Sequence, residues 1–191
     1  MTYNNRFSII DKIIAIFRNR EIGKNFNLES KKILDFGCGS NFKDLNNRYS
    51  NCSKVTLVDK IGEPFNDGRT EFFNFNGDLK YLDKKIADKN YDIIFLLAVI
   101  EHMDRPEDVI NILKKKISDN GMLFLTAPGK KSQWILEFLA YKLKLINEEL
   151  TREHKRYYDK FEYEKLSKLT SMKIIKFYYF ELGLNTACLM K

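Results

Sequence analysis

The stretch Tyr91 to Ala98, YDIIFLLA, is a run of apolar side chains with no alternation. A strand that faces water on one side alternates polar and apolar residues. An unbroken run is buried on both faces, as at the centre of a parallel sheet covered by helices. The rest of the chain supplies that surrounding. Lys32 to Phe36, Val55 to Asp59, Glu71 to Phe75 and Met122 to Ala127 read as further strands. Helical spacing is predicted over residues 42–49, 79–87, 132–146 and 160–169, and over residues 8–18, where Ile9, Ile10, Ile13, Ile14 and Phe17 share a face. The segment DRPEDVINILKKKI carries start signals, with Asp104 as the expected N-cap, Pro106 in the first turn and Glu107 three residues after the cap. Its expected buried face is Val109, Ile110, Leu113 and Ile117, and Asn120-Gly121 is its expected end. Ile174 to Phe180 and Asn185 to Met190 flank Gly183 and predict an antiparallel hairpin. Strands alternating with helices define an α/β fold with a mostly parallel, doubly wound sheet.

At 191 residues the chain is expected to be one domain, 1–191, with an N-terminal helical segment over 1–30 and a helical insertion over 130–170. Its longest apolar run, Ile93 to Ile100, is far too short for a bilayer span, and Asp11 and Lys12 interrupt any signal-peptide pattern. Three cysteines, Cys38, Cys52 and Cys188, show no C-x-x-C spacing. They suggest neither a disulfide framework nor a zinc site, and predict a cytoplasmic protein. The formal charge of +7 comes from lysines scattered along the chain. Charge concentrates only at Lys114-Lys115-Lys116, where cations suit a helix C-terminus, and between Arg152 and Arg156.

Ligands of open α/β sheets bind outside the carboxyl ends of the strands. That rule nominates residues 37–42, Asp59, Asp78, residues 98–104 and residues 127–130. The first of these lies in ILDFGCGSNF, where Gly37 and Gly39 allow a sharp turn and close backbone approach. A pyrophosphate loop would need a third glycine where Phe42 stands. A smaller anion at the N-terminus of the next helix is still served. Asp35, just before the turn, suits an ammonium or sulfonium and offers nothing to phosphate. Asp59, 22 residues after Gly37, is either a ribose-hydroxyl acceptor or a turn residue. Asp78, in FNGDLKYL, accepts from an exocyclic amine, caps the following helix, or does both.

The ordered segments ILDFGCGSNF, VTLVD, GDL, YDIIFLLAVIEHM and GMLFLTAP resemble the class I S-adenosylmethionine-dependent methyltransferases over about residues 30–130. The resemblance implies a Rossmann-like sheet of seven strands with the last antiparallel. S-adenosylmethionine is the implied cofactor and S-adenosylhomocysteine the product. It assigns Asp35 and the loop Gly37, Cys38 and Gly39 to the methionine part. Asp59, with Lys60 beside it, falls to the ribose, Asp78 and Leu79 to the adenine, and Ala98 to the cofactor side of the central strand. Ser40-Asn41-Phe42 departs from the commoner T-G-x ending of the first motif.

Methyl transfer is an in-line displacement that depends on positioning, and a hydroxyl acceptor must also lose a proton. The chain has two histidines, His102 in VIEHM and His154 in TREHKRYYDKF. Each is a candidate base. Equally, Glu101 and His102 could orient the loop, and His154 could be one more surface residue of a basic stretch. The expected acceptor side holds Glu101, Trp134, Arg152, His154, Lys155, Arg156, Tyr157 and Tyr158. EHKRYY resembles the H-x-R-x-[YF] segment of small-molecule and glycan methyltransferases. Cations beside tyrosines suit a phosphate, a carboxylate or a sugar ring. The expectation is O-methylation of a small or anionic acceptor such as a sugar, a sugar-phosphate or a nucleotide-linked glycan precursor, by a monomer or homodimer with no membrane span. A 2′-O RNA methyltransferase with a metal-holding E-x-x-E-H cluster is the alternative. Ala98 stands where its first glutamate would be, so no metal and no nucleic-acid partner is expected. A non-catalytic methyltransferase fold would not need Asp35, Gly37, Gly39 and Asp59 all in place, and a dehydrogenase fails on Phe42.

Overall fold

The computed structural model describes residues 19–86, 90–133 and 155–191. Eight strands form one sheet: β1 (Lys32–Phe36), β2 (Lys54–Asp59), β3 (Phe65–Asn66), β4 (Thr70–Asn74), β5 (Tyr91–Leu97), β6 (Ile117–Pro128), β7 (Ile174–Phe180) and β8 (Asn185–Met190). Their order is β3-β4-β2-β1-β5-β6-β8-β7. Strands β4, β2, β1, β5 and β6 are parallel, and β8 runs antiparallel to both β6 and β7. The apolar run sits where its composition requires. Strand β5 lies between β1 and β6, and Ile93, Ile94, Phe95 and Leu96 are all buried.

Two cores cover the sheet. Helices α2 (Leu79–Lys85), α3 (Pro106–Leu113) and α4 (Lys160–Thr170) contribute Leu82, Val109, Ile110, Leu113, Tyr163 and Leu166 to one. The other holds Ile22 from a helical segment at residues 19–25, and Leu45 from α1 (Phe42–Arg48) with Tyr49 at its C-cap. The helices expected over residues 8–18 and through Ile146 fall on residues outside those described.

The strand count is eight rather than seven. The addition, β3, is two residues long and pairs antiparallel with β4. Its cause is aromatic packing, because the Phe65 ring stacks over Phe72 and meets Phe42 edge-on. Asp104 is not the N-cap of α3. Arg105 occupies that position without a side-chain cap bond, and the Asp104 carboxylate instead pairs with Lys155 at 2.6 Å. Asn120-Gly121 does not end the helix either. The helix stops at Leu113, Lys114–Lys116 forms one tight turn, and Ile117 already pairs with Tyr91 in β6. Gly121 sits in the strand, where an added Cβ would lie 2.6 Å from the Tyr91 carbonyl oxygen, and the register shifts between Tyr91 and Ile93. A glycine inside a strand that marks close backbone approach looks, in sequence, like a helix stop.

Candidate active site

The carboxyl ends of β1, β2, β4, β5 and β6 bring the predicted loops to one edge of the sheet. In the first loop the two glycines have different reasons to be there. Gly37 has φ +79°, and a Cβ on it would lie 2.3 Å from Val99 Cγ2. Gly39 has φ +76° and nothing within 4 Å of a Cβ position. The first glycine closes the β1 turn against the loop after β5, whereas the second leaves open space.

The amides of this turn point back into the protein. Gly37 N–H and Cys38 N–H both donate to the Val58 carbonyl, at 2.7 and 3.2 Å. Gly39 N–H donates to Asp59 Oδ2 at 2.7 Å. Asp59 Oδ1 takes the Lys60 and Ile61 amides at 2.7 and 3.3 Å. Asp59 therefore draws the β1 and β2 loops together, a structural duty that lies beside the expected ribose contact. Lys60 is exposed at that corner. The Asn41 side chain accepts from Asp44 N–H and caps α1. Phe42 packs edge-on against Phe65 and Phe72, so the residue in place of a third glycine seats α1 on the β3–β4 side.

Asp35 differs from Asp59. It is 1 % exposed, and its Oδ2 accepts from Tyr49 Oη at 2.8 Å and more loosely from Arg48 Nη1 at 3.5 Å. Its Oδ1 is buried with no hydrogen-bond partner. Burial pushes this carboxyl above the usual carboxylate range, and Arg48 and the Tyr49 hydroxyl pull it back only in part. Burial, then Asp35 and Asp59, push the neighbouring Cys38 thiol up as well, so Cys38 is a neutral thiol and not a nucleophile.

Asp78 caps α2, with Oδ1 accepting from Lys80 N–H at 2.9 Å and Tyr81 N–H at 3.2 Å, and Leu79 packs against the core. Ala98 follows β5 directly at φ +56°, held by bonds from its N–H to the Thr126 carbonyl and hydroxyl at 2.9 and 3.2 Å. A left-handed non-glycine residue costs about 1 kcal/mol or more, and such residues cluster at ligand sites. Glu101 and His102 follow in the tight turn Ile100–His102, with Glu101 buried and His102 half-buried.

The basic stretch is laid across this turn. Lys155 N–H donates to the Glu101 carbonyl at 2.8 Å, and Arg156 Nη2 donates to the Asp104 carbonyl at 2.8 Å. Tyr158 N–H donates to the Pro128 carbonyl at 2.9 Å, and its hydroxyl donates to the Ile100 carbonyl at 3.2 Å. Tyr158 is thus a core residue, 2 % exposed with its ring against Tyr163, while Tyr157 is half-buried. Trp134, Arg152 and His154 lie outside the described residues. Val99 falls within the nominated residues 98–104, whereas sequence reasoning missed Thr126, Arg48 and Tyr49. Thr126 acts on Ala98 from 28 residues away, and Arg48 and Tyr49 act on Asp35 from the end of α1 and its C-cap.

A mostly parallel sheet in this order, with a glycine turn after β1 and the acidic residues Asp35 and Asp59 at the ends of β1 and β2, is a Rossmann-like α/β fold with its candidate site at the carboxyl edge. The sequence profile described as a methyltransferase domain matches residues 7–172, and the chain belongs to that family. It is an S-adenosylmethionine-dependent methyltransferase of the class I fold. Curated relatives include a ubiquinone biosynthesis O-methyltransferase of Vibrio atlanticus, 26% identical over 79% of this chain and 67% of its own length. Another, of Rickettsia akari, is 29% identical over 72% of this chain and 51% of its own length, so the chain spans only part of these proteins. Among solved structures, a SAM-dependent methyltransferase from Archaeoglobus fulgidus superposes with a TM-score of 0.66 over 93% of this chain and 94% of its own, at 15% identity. The plantazolicin methyltransferase, crystallised with S-adenosylhomocysteine, gives a TM-score of 0.64 over 93% of this chain and 84% of its own, at 16% identity. No helix among the described residues is long and apolar enough to cross a membrane.

Two features of the edge fit the cofactor. Asp35 Oδ1 is a buried carboxyl oxygen without a donor, and an ammonium would supply one. The open side of Gly39 gives room for a ligand against the backbone.

Proposed function

We propose that this chain transfers a methyl group to a hydroxyl oxygen of a small molecule. When bound, S-adenosylmethionine supplies a methyl group made electrophilic by its sulfonium. Asp35 Oδ1 receives the ammonium of the methionine part, and the turn at Gly39 admits its chain. Asp59 uses its remaining acceptor capacity on the ribose, with Asp78 and Leu79 at the adenine. Asp59 also fixes the two loops relative to each other, so it contributes to affinity twice. His102, at the end of the central strand, takes the acceptor's proton. Relatives named as O-methyltransferases support transfer to oxygen.

The observation that carries the cofactor half is the unpartnered oxygen of Asp35. For the acceptor, a small hydroxylated compound is the better-supported class. Lys155 and Arg156, the expected readers of a sugar-phosphate or other anionic acceptor, are both engaged by Asp104. Titration calorimetry with S-adenosylhomocysteine tests the first half, with micromolar affinity expected, roughly −8 kcal/mol. Asp59→Ala is expected to weaken it about tenfold or more, the loss of bonds to a charged acceptor. Incubation with methyl-labelled cofactor and a panel of hydroxylated aromatics and sugars tests the second. O-methyl products that disappear in His102→Gln support the proposal, and N- or C-methyl products overturn it.

A further inference from the structure

Asp35 raises a question that binding alone does not answer. A buried carboxylate with one unsatisfied oxygen is a liability to the fold, and an apolar residue of similar volume would serve packing better. Two residues at the end of α1 act on it. Tyr49 is 1 % exposed, its ring stacks on Phe95 at 6.1 Å between centroids, and its hydroxyl donates to Asp35 Oδ2 at 2.8 Å. Arg48 places Nη1 at 3.5 Å from the same oxygen and 3.4 Å from the Tyr49 hydroxyl, with its guanidinium carbon 5.4 Å from the Tyr49 ring centroid. Both contacts fall on Oδ2, and neither uses Oδ1.

We infer that Arg48 and Tyr49 are positioning residues that hold Asp35 ionised and fix its rotation, so that Oδ1 alone is presented to the ammonium of the cofactor. The inference rests on the cofactor assignment made above. Its logic is electrostatic. Burial disfavours the ionised form of this carboxyl, and a protonated acid cannot receive an ammonium as an ion pair. A guanidinium that stays charged at any working pH opposes that, and the tyrosine hydroxyl favours the carboxylate by donating to it. Had the arginine sat fork-on-fork against both oxygens, the charge would be kept but the acceptor consumed. The other groups that act on Asp35 are few. Asp59, at the end of the adjacent strand, disfavours its ionisation, and the Cys38 thiol in the loop between them is neutral. Arg48 is the cation among the described residues that offsets the neighbouring acid.

The test compares two ligands by calorimetry between pH 5 and 8. S-adenosylhomocysteine carries the ammonium, and 5′-methylthioadenosine has the same nucleoside and sulfur without the amino-acid part. The wild-type protein is expected to prefer S-adenosylhomocysteine, with the preference falling on acidification as Asp35 takes up a proton. In Arg48→Met the midpoint of that fall is expected to move to higher pH by about one unit or more, the ordinary influence of a close opposite charge. Tyr49→Phe keeps the ring on Phe95, and is expected to move it the same way by less. Asp35→Asn should bind S-adenosylhomocysteine about tenfold more weakly across the range, without the acid-dependent fall. Affinity for methylthioadenosine should stay unchanged in all three. A midpoint unmoved in both Arg48→Met and Tyr49→Phe, or an equal loss of both ligands, overturns the inference. If Arg48→Met does not fold, Tyr49→Phe decides alone. A wild-type protein that binds neither ligand would instead overturn the cofactor assignment itself, and the inference with it.

Discussion

Between Asp35 and Ile61 the hydrogen bonds that shape the loops are made within a short stretch of chain, whereas the edge over β5 and β6 is assembled from distant segments. On the first side, Tyr49 reaches back 14 residues to Asp35, and Gly39 reaches forward 20 to Asp59. On the second, Arg156 and Tyr158 reach 52 and 58 residues to Asp104 and Ile100. A site assembled locally forms with its own strand–turn–helix unit. A site closed by a returning segment depends on the whole sheet having formed first. The cofactor side is therefore the part that should survive local damage elsewhere, and the acceptor side the part that varies with it.

One close contact ties the two sides together, Gly37 against Val99. Gly37→Ala should be the most damaging single change considered. It combines a positive φ with a Cβ 2.3 Å from Val99 Cγ2. Left-handed strain and overpacking together should cost about 3 kcal/mol, read by urea denaturation at 25 °C. Adding Val99→Ala should return about 1–2 kcal/mol of this, leaving the φ strain in place. A loss below about 1 kcal/mol in the single variant would mean that the two sides are not locked to each other. Gly39→Ala sharpens the contrast. With nothing within 4 Å, only its φ of +76° is strained, about 1–2 kcal/mol. The methyl group would project into open space, so affinity for S-adenosylhomocysteine should fall beyond what the change in stability explains.

Next in size is Tyr158→Phe. The hydroxyl is buried and bonded to the Ile100 carbonyl, so its removal should cost about 1 kcal/mol of stability. Acceptor KM should not change. A KM effect without a stability effect would move Tyr158 from the core into the acceptor site and erase the difference drawn between the two sides.

That difference also explains what could be read in advance. The strand–glycine turn, Asp59 and the central strand are signalled by residues adjacent in sequence, and β7 and β8 follow from two short runs flanking Gly183, close enough to pair. The helix stop placed at Asn120-Gly121 failed because a glycine excluded by the Tyr91 carbonyl looks the same as one that caps a helix. Asp104 failed as a cap because its partner, Lys155, lies 51 residues away in sequence. Tyr158 read as an acceptor contact because nothing local shows that its ring enters the core. Phe42 was legible only as a missing glycine, and its partners Phe65 and Phe72 gave it a positive reason. The free oxygen of Asp35 could not be read at all, since it depends on which oxygen Tyr49 chooses.

The smallest expected effect tests how the returning segment is held. The Asp104 carboxyl is held below its usual range by the hydrogen bond from Lys155, then by the charges of Lys155 and Arg156. A depressed carboxyl contributes stability above its unfolded pKa and loses it as pH falls through the folded value. This group is fully exposed, so solvent screens the contribution. Three bonds do not need the charge: Lys155 N–H to the Glu101 carbonyl, Arg156 to the Asp104 carbonyl, and Tyr158 N–H to the Pro128 carbonyl. Asp104→Asn should therefore leave the melting temperature at neutral pH unchanged, and any small wild-type advantage should vanish as pH falls through the lowered folded pKa of Asp104. Hydrogen exchange at the Lys155 and Tyr158 amides should stay slow in the variant. Fast exchange there would show that charge holds the segment instead of the backbone, and the acceptor side would then open and close with salt and pH while the cofactor side did not.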